Sequence, residues 1–293
     1  MKRAWAGATG LLGSEICRLL TARGHKVRAL VRPTSDSSKR GKLKELGVEF
    51  AEGDLKDGES LDRACRGIAV VISTASSTLS RQTGDSIETV DRDGQLRLVV
   101  AARKAGVRQF IFISFRNNPD IQHPLTDAKQ AVTRRLKESG LDYAVLEASY
   151  FMEIWLSPAL GFDYSNTKAR INGPGRHKLS WISFVDVAQF AVAVVGNAAA
   201  SKMVLEIGGP EALSPIEVMK IFEAASGKKL CSRARSGRSV ARAEGRAADS
   251  LQQTFAALML SYAAGDAVEM RETLKAFPLQ LTSVRDYAAR ALA

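Results

Sequence analysis

The sequence predicts an α/β protein: a doubly wound, mostly parallel sheet of about seven strands, with a smaller, mainly helical C-terminal part. Three observations lead to this prediction. Strand-like and helix-like segments alternate over the first two-thirds of the 293 residues. A glycine-rich turn joins the first strand to the first helix. Beyond Tyr150 the alternation weakens, and from Ser214 onward the pattern predicts three or four helices.

Each element follows from its own pattern. The apolar spacing after the glycine turn predicts a helix from Leu11 to about Arg23, and a long helix is expected from about Ile87 to Ala105. We expect "MVLEIGG" to form the seventh strand, and Asp186 to cap the helix that precedes it. The first six strands are predicted in the segments KRAWAG, KVRALV, VEFAEG, AVVIST, RQFIFIS and DYAVLE.

Composition narrows the class of protein. The net charge of +11 fits a solvated basic surface, a phosphorylated ligand or a nucleic acid. We favour the surface, because no helix-turn-helix, zinc-finger or RNA-binding pattern accompanies the charge. Nucleic acid is therefore not the expected partner. The densest basic segment, 228–246, is left open as a helix, a loop or a binding surface.

Other residue types set further limits. The apolar runs are strand length, so no membrane span is expected. Three scattered cysteines and a folded motif at the N-terminus predict a cytoplasmic protein without a signal peptide. No histidine has metal-ligand spacing, so no metal site is predicted. No G-x-S-x-G or Cys–His arrangement indicates a nucleophilic enzyme.

The stretch "AGATGLLGSEI" carries the strongest functional prediction, a dinucleotide site. Gly7 permits a tight turn, Gly10 allows the backbone to approach a diphosphate, and Gly13 allows close helix packing. The free N–H groups at the helix start then attract the diphosphate. This predicts a Rossmann-type fold. The predicted contacts from the turn are Gly7, Thr9, Gly10, Leu11, Leu12 and Gly13.

The second strand favours NADP(H) over NAD(H). A protein that prefers NAD usually ends this strand with an acidic residue, whereas this strand is followed by Arg32. A guanidinium there pairs with the 2′-phosphate of NADP, although a solvent-facing arginine is the plainer alternative. Ser35, Lys39 and Arg40 are further candidates for this pocket.

The other strand ends are expected to line the same groove, because ligands bind beyond the carboxyl ends of parallel strands. Strand three is followed by residues for the adenine, strand four by residues for the diphosphate and ribose, and strands five and six by residues near the nicotinamide. These candidates are Asp54 and Leu55; Thr74, Ala75 and Ser76; Ser114 and Phe115; and Ala148, Ser149, Tyr150 and Phe151.

The segments "GATGLLG", "VRALVR", "EGDL", "DAKQAV", "SGLDYAVLEASYFMEIW" and "WISFVDVA", in this order, resemble the NmrA-like branch of the atypical short-chain dehydrogenase/reductases. The resemblance implies an NADP-binding domain over 1–150 and a substrate-binding part over 151–293, interleaved because about 184–208 returns to the sheet. It also implies that the protein is either a reductase of quinones, dyes or phenylpropanoid-type substrates, or a sensor of NADP redox state.

The resemblance raises a question about Lys129. Typical members of the superfamily place a tyrosine acid four residues before this lysine, but Leu125 stands there. Lys129 is expected to hold the nicotinamide ribose, and Ser114 lies near the position of the usual serine. Lys129, Tyr150 or water is left as the proton source.

Two functions are weighed. The first is an NADPH-dependent reductase of a small apolar acceptor such as a quinone, with Phe115, Phe151 and Trp155 as weak candidates for substrate contacts; aromatic residues at such spacing are more often core. The second is a non-catalytic sensor that binds NADP(H) and passes its redox state to a protein partner. The chain is expected to be a monomer or a homodimer.

Overall fold

The computed structural model describes residues 2–79, 81–235 and 248–293. Its centre is a seven-stranded sheet with the order β10-β6-β5-β4-β1-β2-β3, which confirms the predicted α/β fold and the return of "MVLEIGG" to the sheet. Six of these strands have the 3-2-1-4-5-6 order of a Rossmann sheet. The strands are β1 Lys2–Ala6, β2 Lys26–Val31, β3 Glu49–Glu52, β4 Val70–Ser73, β5 Gln109–Phe115, β6 Asp142–Ala148 and β10 Met203–Ile207.

Helices follow the strands as the sequence predicts. Those of the first half are α1 Leu11–Ala22, α2 Ser37–Glu45, α3 Gly58–Cys65, α4 Gln95–Lys104 and α5 Pro124–Glu138. The later ones are α6 Met152–Trp155, α7 Phe184–Ala193, α8 Pro215–Ser226, α9 Ser250–Ala264, α10 Arg271–Ala276 and α11 Val284–Leu292, with short 3₁₀ turns at Pro158–Leu160 and Ala198–Ala200. No helix in the described ranges is long and apolar enough to cross a membrane.

The register of the parallel strands brings the predicted site residues to one edge. Ala6 of β1 pairs with Leu30 of β2 and with Ser73 of β4, and Ser73 pairs with Phe112 of β5. The pairings β1–β2, β1–β4, β2–β3 and β4–β5 are all parallel. The residues that follow β1, β2 and β4 therefore emerge side by side, at the carboxyl edge where ligands bind in such sheets.

The long helix expected from Ile87 to Ala105 is confirmed as one continuous helix, which changes type partway along. Ile87–Gly94 is a π-helix, and α4 starts at Gln95. At Gly94 a Cβ atom would lie 2.8 Å from Leu55 Cβ, so a tertiary contact admits only glycine at the junction. Apolar periodicity does not distinguish an α-helix from a π-helix of this length. π-Helical turns occur frequently at functional sites.

The chain divides into two compact units. Unit 1 contains 1–114, 124–147 and 188–205, and unit 2 contains 115–123, 148–187 and 206–293. Unit 1 has a hydrophobic core between sheet and helices, centred on Phe110, Phe112 and Val145. Whether the units divide the functions as the sequence predicts, with cofactor binding over 1–150 and substrate binding over 151–293, stays a prediction.

Unit 2 has its own core and two small sheets. Trp181, Phe222 and Tyr262 are central in that core. One sheet pairs β9 Leu179–Ser180 with β11 Ala212–Leu213, and the other has the order β12-β8-β7, with β7 Phe162–Asp163, β8 Lys168–Asn172 and β12 Cys231–Arg235. Strand β12 takes up part of the basic segment 228–246, whose residues 236–246 lie outside the described residues.

Asp186 has a different role from the predicted helix cap. It lies within the first turn of α7 and accepts hydrogen bonds from the backbone N–H and the hydroxyl of Thr282, at 2.8 and 3.1 Å. The N–H groups at the start of α7 are satisfied by Glu153 and Ser183. Asp186 therefore fixes the chain that leads into α11, and its role is structural.

Candidate cofactor site

The glycine turn after β1 is closely fitted to the end of β4. Gly7 has a φ of +90°, and a Cβ atom there would lie 2.5 Å from Thr74 Oγ1 and 2.8 Å from the backbone nitrogen of Ala75. The N–H of Gly10 donates to the carbonyl of Gly7 at 3.1 Å, which closes the turn. Only glycine fits at position 7, because any side chain meets both the unusual backbone angle and the β4 loop.

The N-terminus of α1 carries no side-chain cap. Its first turn contains no acidic residue, and Gly10 at the cap position has no side chain to accept a hydrogen bond. By contrast, Asp36 caps α2 and Asp57 caps α3. The free N–H groups and the positive end of the helix dipole are therefore available to an anion at α1. Of the other turn residues, Leu11 is exposed, Thr9 is half-buried, and Leu12 and Gly13 are buried.

The segment after β4 is held by Gln95, the first residue of α4. The Gln95 amide donates to the carbonyl of Ala75 at 2.9 Å and accepts from the Ser73 hydroxyl at 2.7 Å. Thr74, Ala75 and Ser76 are all half-buried beside the glycine turn. Their backbone is therefore positioned before any ligand arrives, which favours binding.

Lys129 is buried, and its charged end faces a carboxylate. Its Nζ lies 3.7 Å from Asp91 Oδ1, 3.5 Å from the carbonyl oxygen of Ile113 and 4.8 Å from the ring centroid of Phe112. The side chain of Lys129 is 9% exposed and that of Asp91 is 0% exposed. The π-helix supplies Asp91, and α5 supplies Lys129. An exposed helix lysine, the plain alternative for Lys129, is thus excluded.

The buried pair is incompletely bonded. Asp91 Oδ2 accepts from the backbone N–H and hydroxyl of Ser77 at 2.9 and 2.7 Å, but Asp91 Oδ1 has no hydrogen-bond partner. Burial lowers the pKa of Lys129, and the Asp91 carboxylate opposes that shift only in part. Asp91 and Lys129 are therefore held together by charge attraction across 3.7 Å and not by a direct hydrogen bond.

Arg32 follows β2 as predicted, and it is already paired. Its Nη1 donates to Asp85 Oδ2 at 2.6 Å, and the Lys56 ammonium group donates to the other oxygen of the same carboxylate. Asp85 is 2% exposed, whereas Arg32 and Lys56 are 26% and 29% exposed. Burial raises the pKa of Asp85, but the hydrogen bonds from Lys56 and Arg32 outweigh it and hold that pKa below the usual range.

The adenine candidates after β3 differ from each other. Asp54 is half-buried, and its carboxylate accepts from the backbone N–H of Lys56 at 2.8 Å. The side chain of Leu55 is 6% exposed and belongs to the core of unit 1. Any contact of Leu55 with a cofactor therefore involves its backbone. Of the other candidates near Arg32, Lys39 is exposed and Arg40 pairs with Glu52.

In unit 2, the predicted catalytic Tyr150 lies inside an aromatic cluster. Its ring packs edge-to-face on Trp155 with the centroids 4.8 Å apart, and Trp155 stacks on Tyr262 at 5.3 Å. Burial, with smaller effects from Asp266 and Tyr262, raises the pKa of Tyr150 well above its usual value. A phenol in this environment holds its proton firmly, which makes Tyr150 a weaker acid than an ordinary tyrosine.

The remaining predicted residues are more dispersed. Phe115 stacks on His123 at 5.7 Å, and Phe151 forms a backbone bridge with Ile182; both aromatic side chains are half-buried. Ser114 is buried near the end of β5, one residue after the carbonyl that contacts Lys129. The assignments of these residues to substrate or catalysis stay predictions.

Two acidic residues of this site escaped the sequence analysis, Asp91 and Asp85. Neither follows a strand directly, and both lie between β4 and α4. "TVDRDGQ" resembles an ordinary amphipathic helix, so the inward turn of Asp91 has no local pattern. Asp85 binds Arg32, which lies 53 residues away in the sequence. No local pattern around a single acidic residue in a loop predicts such a distant partner.

Known proteins are similar to this chain in sequence and in fold. The chain is 31% identical over 224 residues to the photosystem II assembly factor Ycf39 of Synechocystis sp., with 75% of this chain and 66% of that protein covered. It therefore spans just under two thirds of that relative. It is 28% identical to the NAD(P)H azoreductase of Xenophilus azovorans, with 76% of this chain and 73% of that protein covered.

A solved structure has a similar fold. The NADPH-dependent quinone oxidoreductase QOR2 of Escherichia coli, complexed with NADPH, superimposes with a TM-score of 0.80 and 21% identity, and the whole of both chains is covered. At that identity the likeness shows the fold alone, a Rossmann-type one. The family model for the NmrA-like family matches residues 4–288. The chain therefore belongs to the NmrA-like family.

Proposed function

We propose that this protein is an NADPH-dependent reductase of a small apolar acceptor such as a quinone, working without the usual tyrosine acid. One observation carries the proposal. The lysine of the superfamily's catalytic helix is present, buried and paired with Asp91, while the position of the tyrosine is taken by Leu125, which is 5% exposed. The helix thus keeps a cofactor contact and offers no acid at the usual place.

The residues of unit 1 fit a dinucleotide. The turn at Gly7 leaves no room for a Cβ, and the uncapped start of α1 offers its N–H groups to the diphosphate. Lys129, whose side chain keeps some exposure, suits the ribose hydroxyls as a hydrogen-bond donor, and the buried Asp91 carboxylate lies behind it. Arg32 and Lys56 suit a 2′-phosphate, which supports NADPH as the cofactor.

Two of the similar proteins support this proposal. The azoreductase of Xenophilus azovorans is named for NAD(P)H, and the Escherichia coli quinone oxidoreductase was solved with NADPH. When bound, a reduced nicotinamide supplies a hydride, and reduction of a quinone to a hydroquinone needs one proton besides. Hydride transfer leaves a hydroquinone monoanion, whose phenolate charge is delocalised into the aromatic ring, so a proton from water suffices. A quinone therefore places the smallest demand on the missing acid.

The role of the protein is then orientation and electrostatics. Lys129 places a positive charge within reach of the ribose, and Asp91 and Ile113 hold that charge in place. Tyr150, whose pKa is raised by burial, is not assigned the proton transfer. We assign Lys129 the part of a ribose ligand, and Phe115, Phe151 and Trp155 stay candidates for substrate contact.

The test is anaerobic oxidation of NADPH, followed by absorbance, against a panel of quinones. We expect acceptor-dependent oxidation, and a loss on the order of tenfold or more in the double variant Asp91→Asn/Lys129→Met at matched cofactor occupancy. The double variant avoids leaving a buried carboxylate without its cation. The control is Lys137→Ala, an exposed lysine at the end of the same helix, which we expect to leave the rate unchanged. Absence of oxidation with every quinone contradicts the proposal.

A second function is favoured by a specific observation. Leu125 removes the acid that most reductases of the superfamily use, and the relative from Synechocystis sp. is named as an assembly factor. A protein that binds NADP(H) without turnover and passes its redox state to a partner satisfies both. Tight binding of NADPH without oxidation by any acceptor supports this sensor. Absence of binding contradicts both functions.

A further inference from the structure

The two cations that we assign to the 2′-phosphate of NADPH, Arg32 and Lys56, are both paired with an acidic residue. Arg32 and Lys56 donate to the two oxygens of one carboxylate, that of Asp85, and Asp85 Oδ2 also accepts from the backbone N–H of Gln82 at 2.8 Å. Asp54 lies 3.7 Å from the Lys56 ammonium group. The four side chains thus bring two positive and two negative charges together at the ends of β2 and β3.

The position of Asp85 is fixed by more than its ion pairs. The hydroxyl of Thr34 donates to the side chain of Gln82 at 2.7 Å, so the loop that carries Asp85 is tied to the chain after β2 at a second point. The carboxylate itself is almost fully buried beneath the two cations, while these are about one quarter exposed. A ligand phosphate therefore meets the outer side of cations whose inner side is neutralised.

We propose that Asp85 is a specificity-determining residue for the cofactor: it offsets the charge of Arg32 and Lys56 and so keeps the preference for NADPH over NADH modest. This inference rests on the proposed function, because it concerns the same cofactor site. A 2′-phosphate carries a charge of about −1.5 to −2 at neutral pH, and its attraction to the site depends on the local sum of charges. With Asp85 ionised that sum is close to zero.

The alternative is that Asp85 only anchors its loop. An anchor and a charge regulator predict different results for two substitutions. Asp85→Asn keeps the shape and one acceptor oxygen, which can still bond Arg32 and Gln82, and it removes the negative charge together with the bond from Lys56. Thr34→Val removes the shorter of the two bonds between Thr34 and Gln82, leaves the 3.4 Å bond from the Gln82 amide to the Thr34 carbonyl, and keeps every charge in place. A charge regulator responds to the first substitution alone, whereas an anchor responds to both.

The experiment measures equilibrium binding of NADPH and NADH, which differ only in the 2′-phosphate, by titration calorimetry without an acceptor. For the wild type we expect the two dissociation constants to lie within about tenfold of each other. In Asp85→Asn the preference for NADPH is expected to rise on the order of tenfold, with NADH binding nearly unchanged. In Arg32→Ala/Asp85→Asn most of that gain is lost, because the freed cation is absent.

Any other result contradicts either the inference about Asp85 or the proposed function. A wild-type preference for NADPH far above tenfold, or an unchanged preference in Asp85→Asn, overturns the inference and leaves the reductase proposal intact. An equal gain in Thr34→Val assigns the effect to loop position and also overturns it. If neither cofactor binds to the wild type, the proposed function itself fails. Far-UV circular dichroism and NADH binding report whether Asp85→Asn is folded; if it is not, Arg32→Ala decides, since an unchanged preference there also overturns the inference.

Discussion

Two ion-pair clusters lie at the carboxyl edge of the same sheet, and they are built in opposite ways. At the ends of β4 and β5, Lys129 and Asp91 are almost completely buried, 3.7 Å apart, and one carboxylate oxygen has no hydrogen bond. At the end of β2, Arg32 and Lys56 are partly exposed and bond Asp85 directly. The first, which we call the buried pair, has almost no exposed charge and one unbonded carboxylate oxygen. The second, which we call the partly exposed cluster, has a buried carboxylate with both oxygens bonded to cations that are about one quarter exposed.

The difference fits the roles that we propose for the two clusters. A buried pair that is imperfectly bonded costs desolvation energy that its own attraction does not fully return, so stability alone does not explain Lys129 and Asp91. A partly exposed, well-bonded cluster costs little to form and little to rearrange. The buried pair thus suits a fixed ligand contact. The partly exposed cluster suits a site in which Arg32 and Lys56 change their hydrogen bonds when a phosphate binds.

The largest effect is expected from Lys129→Met. The substitution leaves the Asp91 carboxylate buried without a cation, and we expect a loss of about 3–5 kcal/mol in the free energy of unfolding, measured by urea denaturation. The double variant Asp91→Asn/Lys129→Met removes both charges and is expected to recover most of that loss. Recovery of stability without recovery of cofactor binding would show that the pair exists for the ligand.

A matched control is available on the same helix. Lys137 is exposed in the last turn of α5, and Lys137→Met is expected to change the free energy of unfolding by no more than about 0.5 kcal/mol. A similar loss of unfolding free energy in Lys129→Met and Lys137→Met would contradict the contrast between a buried and an exposed lysine.

The pH dependence is the next effect in size. Burial lowers the pKa of Lys129 in the folded protein below that of the unfolded chain, despite the opposing charge of Asp91. Between these two pKa values the unfolded chain binds more protons than the folded protein, so the cost of burying the charge is relieved as the pH rises. We therefore expect the stability of the wild type to increase, relative to Asp91→Asn/Lys129→Met, as the pH rises toward the unfolded lysine pKa of about 10.4.

Asp91→Asn sharpens this test. Without the carboxylate the pKa of Lys129 falls further, so the relief should begin at a lower pH than in the wild type. Urea denaturation at a series of pH values, with the double variant as the reference, gives both curves. A constant difference between wild type and reference across that range would mean that the folded Lys129 titrates like an ordinary lysine.

The sequence predicted the scaffold better than the charges. Gly7, Arg32, Thr74 and Lys129 could be proposed because each has a fixed place relative to a strand or helix, and the parallel sheet follows from alternation. Asp91 and Asp85 were missed because their partners lie far along the chain, on other elements. The helix from Ile87 was predicted as α-helical, since periodicity does not record the tertiary contact at Gly94.

The smallest effect is expected in the partly exposed cluster of Arg32, Lys56 and Asp85. A double-mutant cycle of Arg32→Ala and Asp85→Asn should give a coupling of about 1 kcal/mol or less in the free energy of unfolding, because Arg32 is partly exposed. At about 1 M NaCl the coupling should shrink, since screening is effective over a few ångströms at that ionic strength. The matching cycle for Asp91→Asn and Lys129→Met should barely respond to salt, because ions do not reach a buried pair. Salt-insensitive coupling at Arg32 would mean that Asp85 binds it as firmly as Asp91 binds Lys129, and a cation held so firmly is a poor ligand for an incoming phosphate.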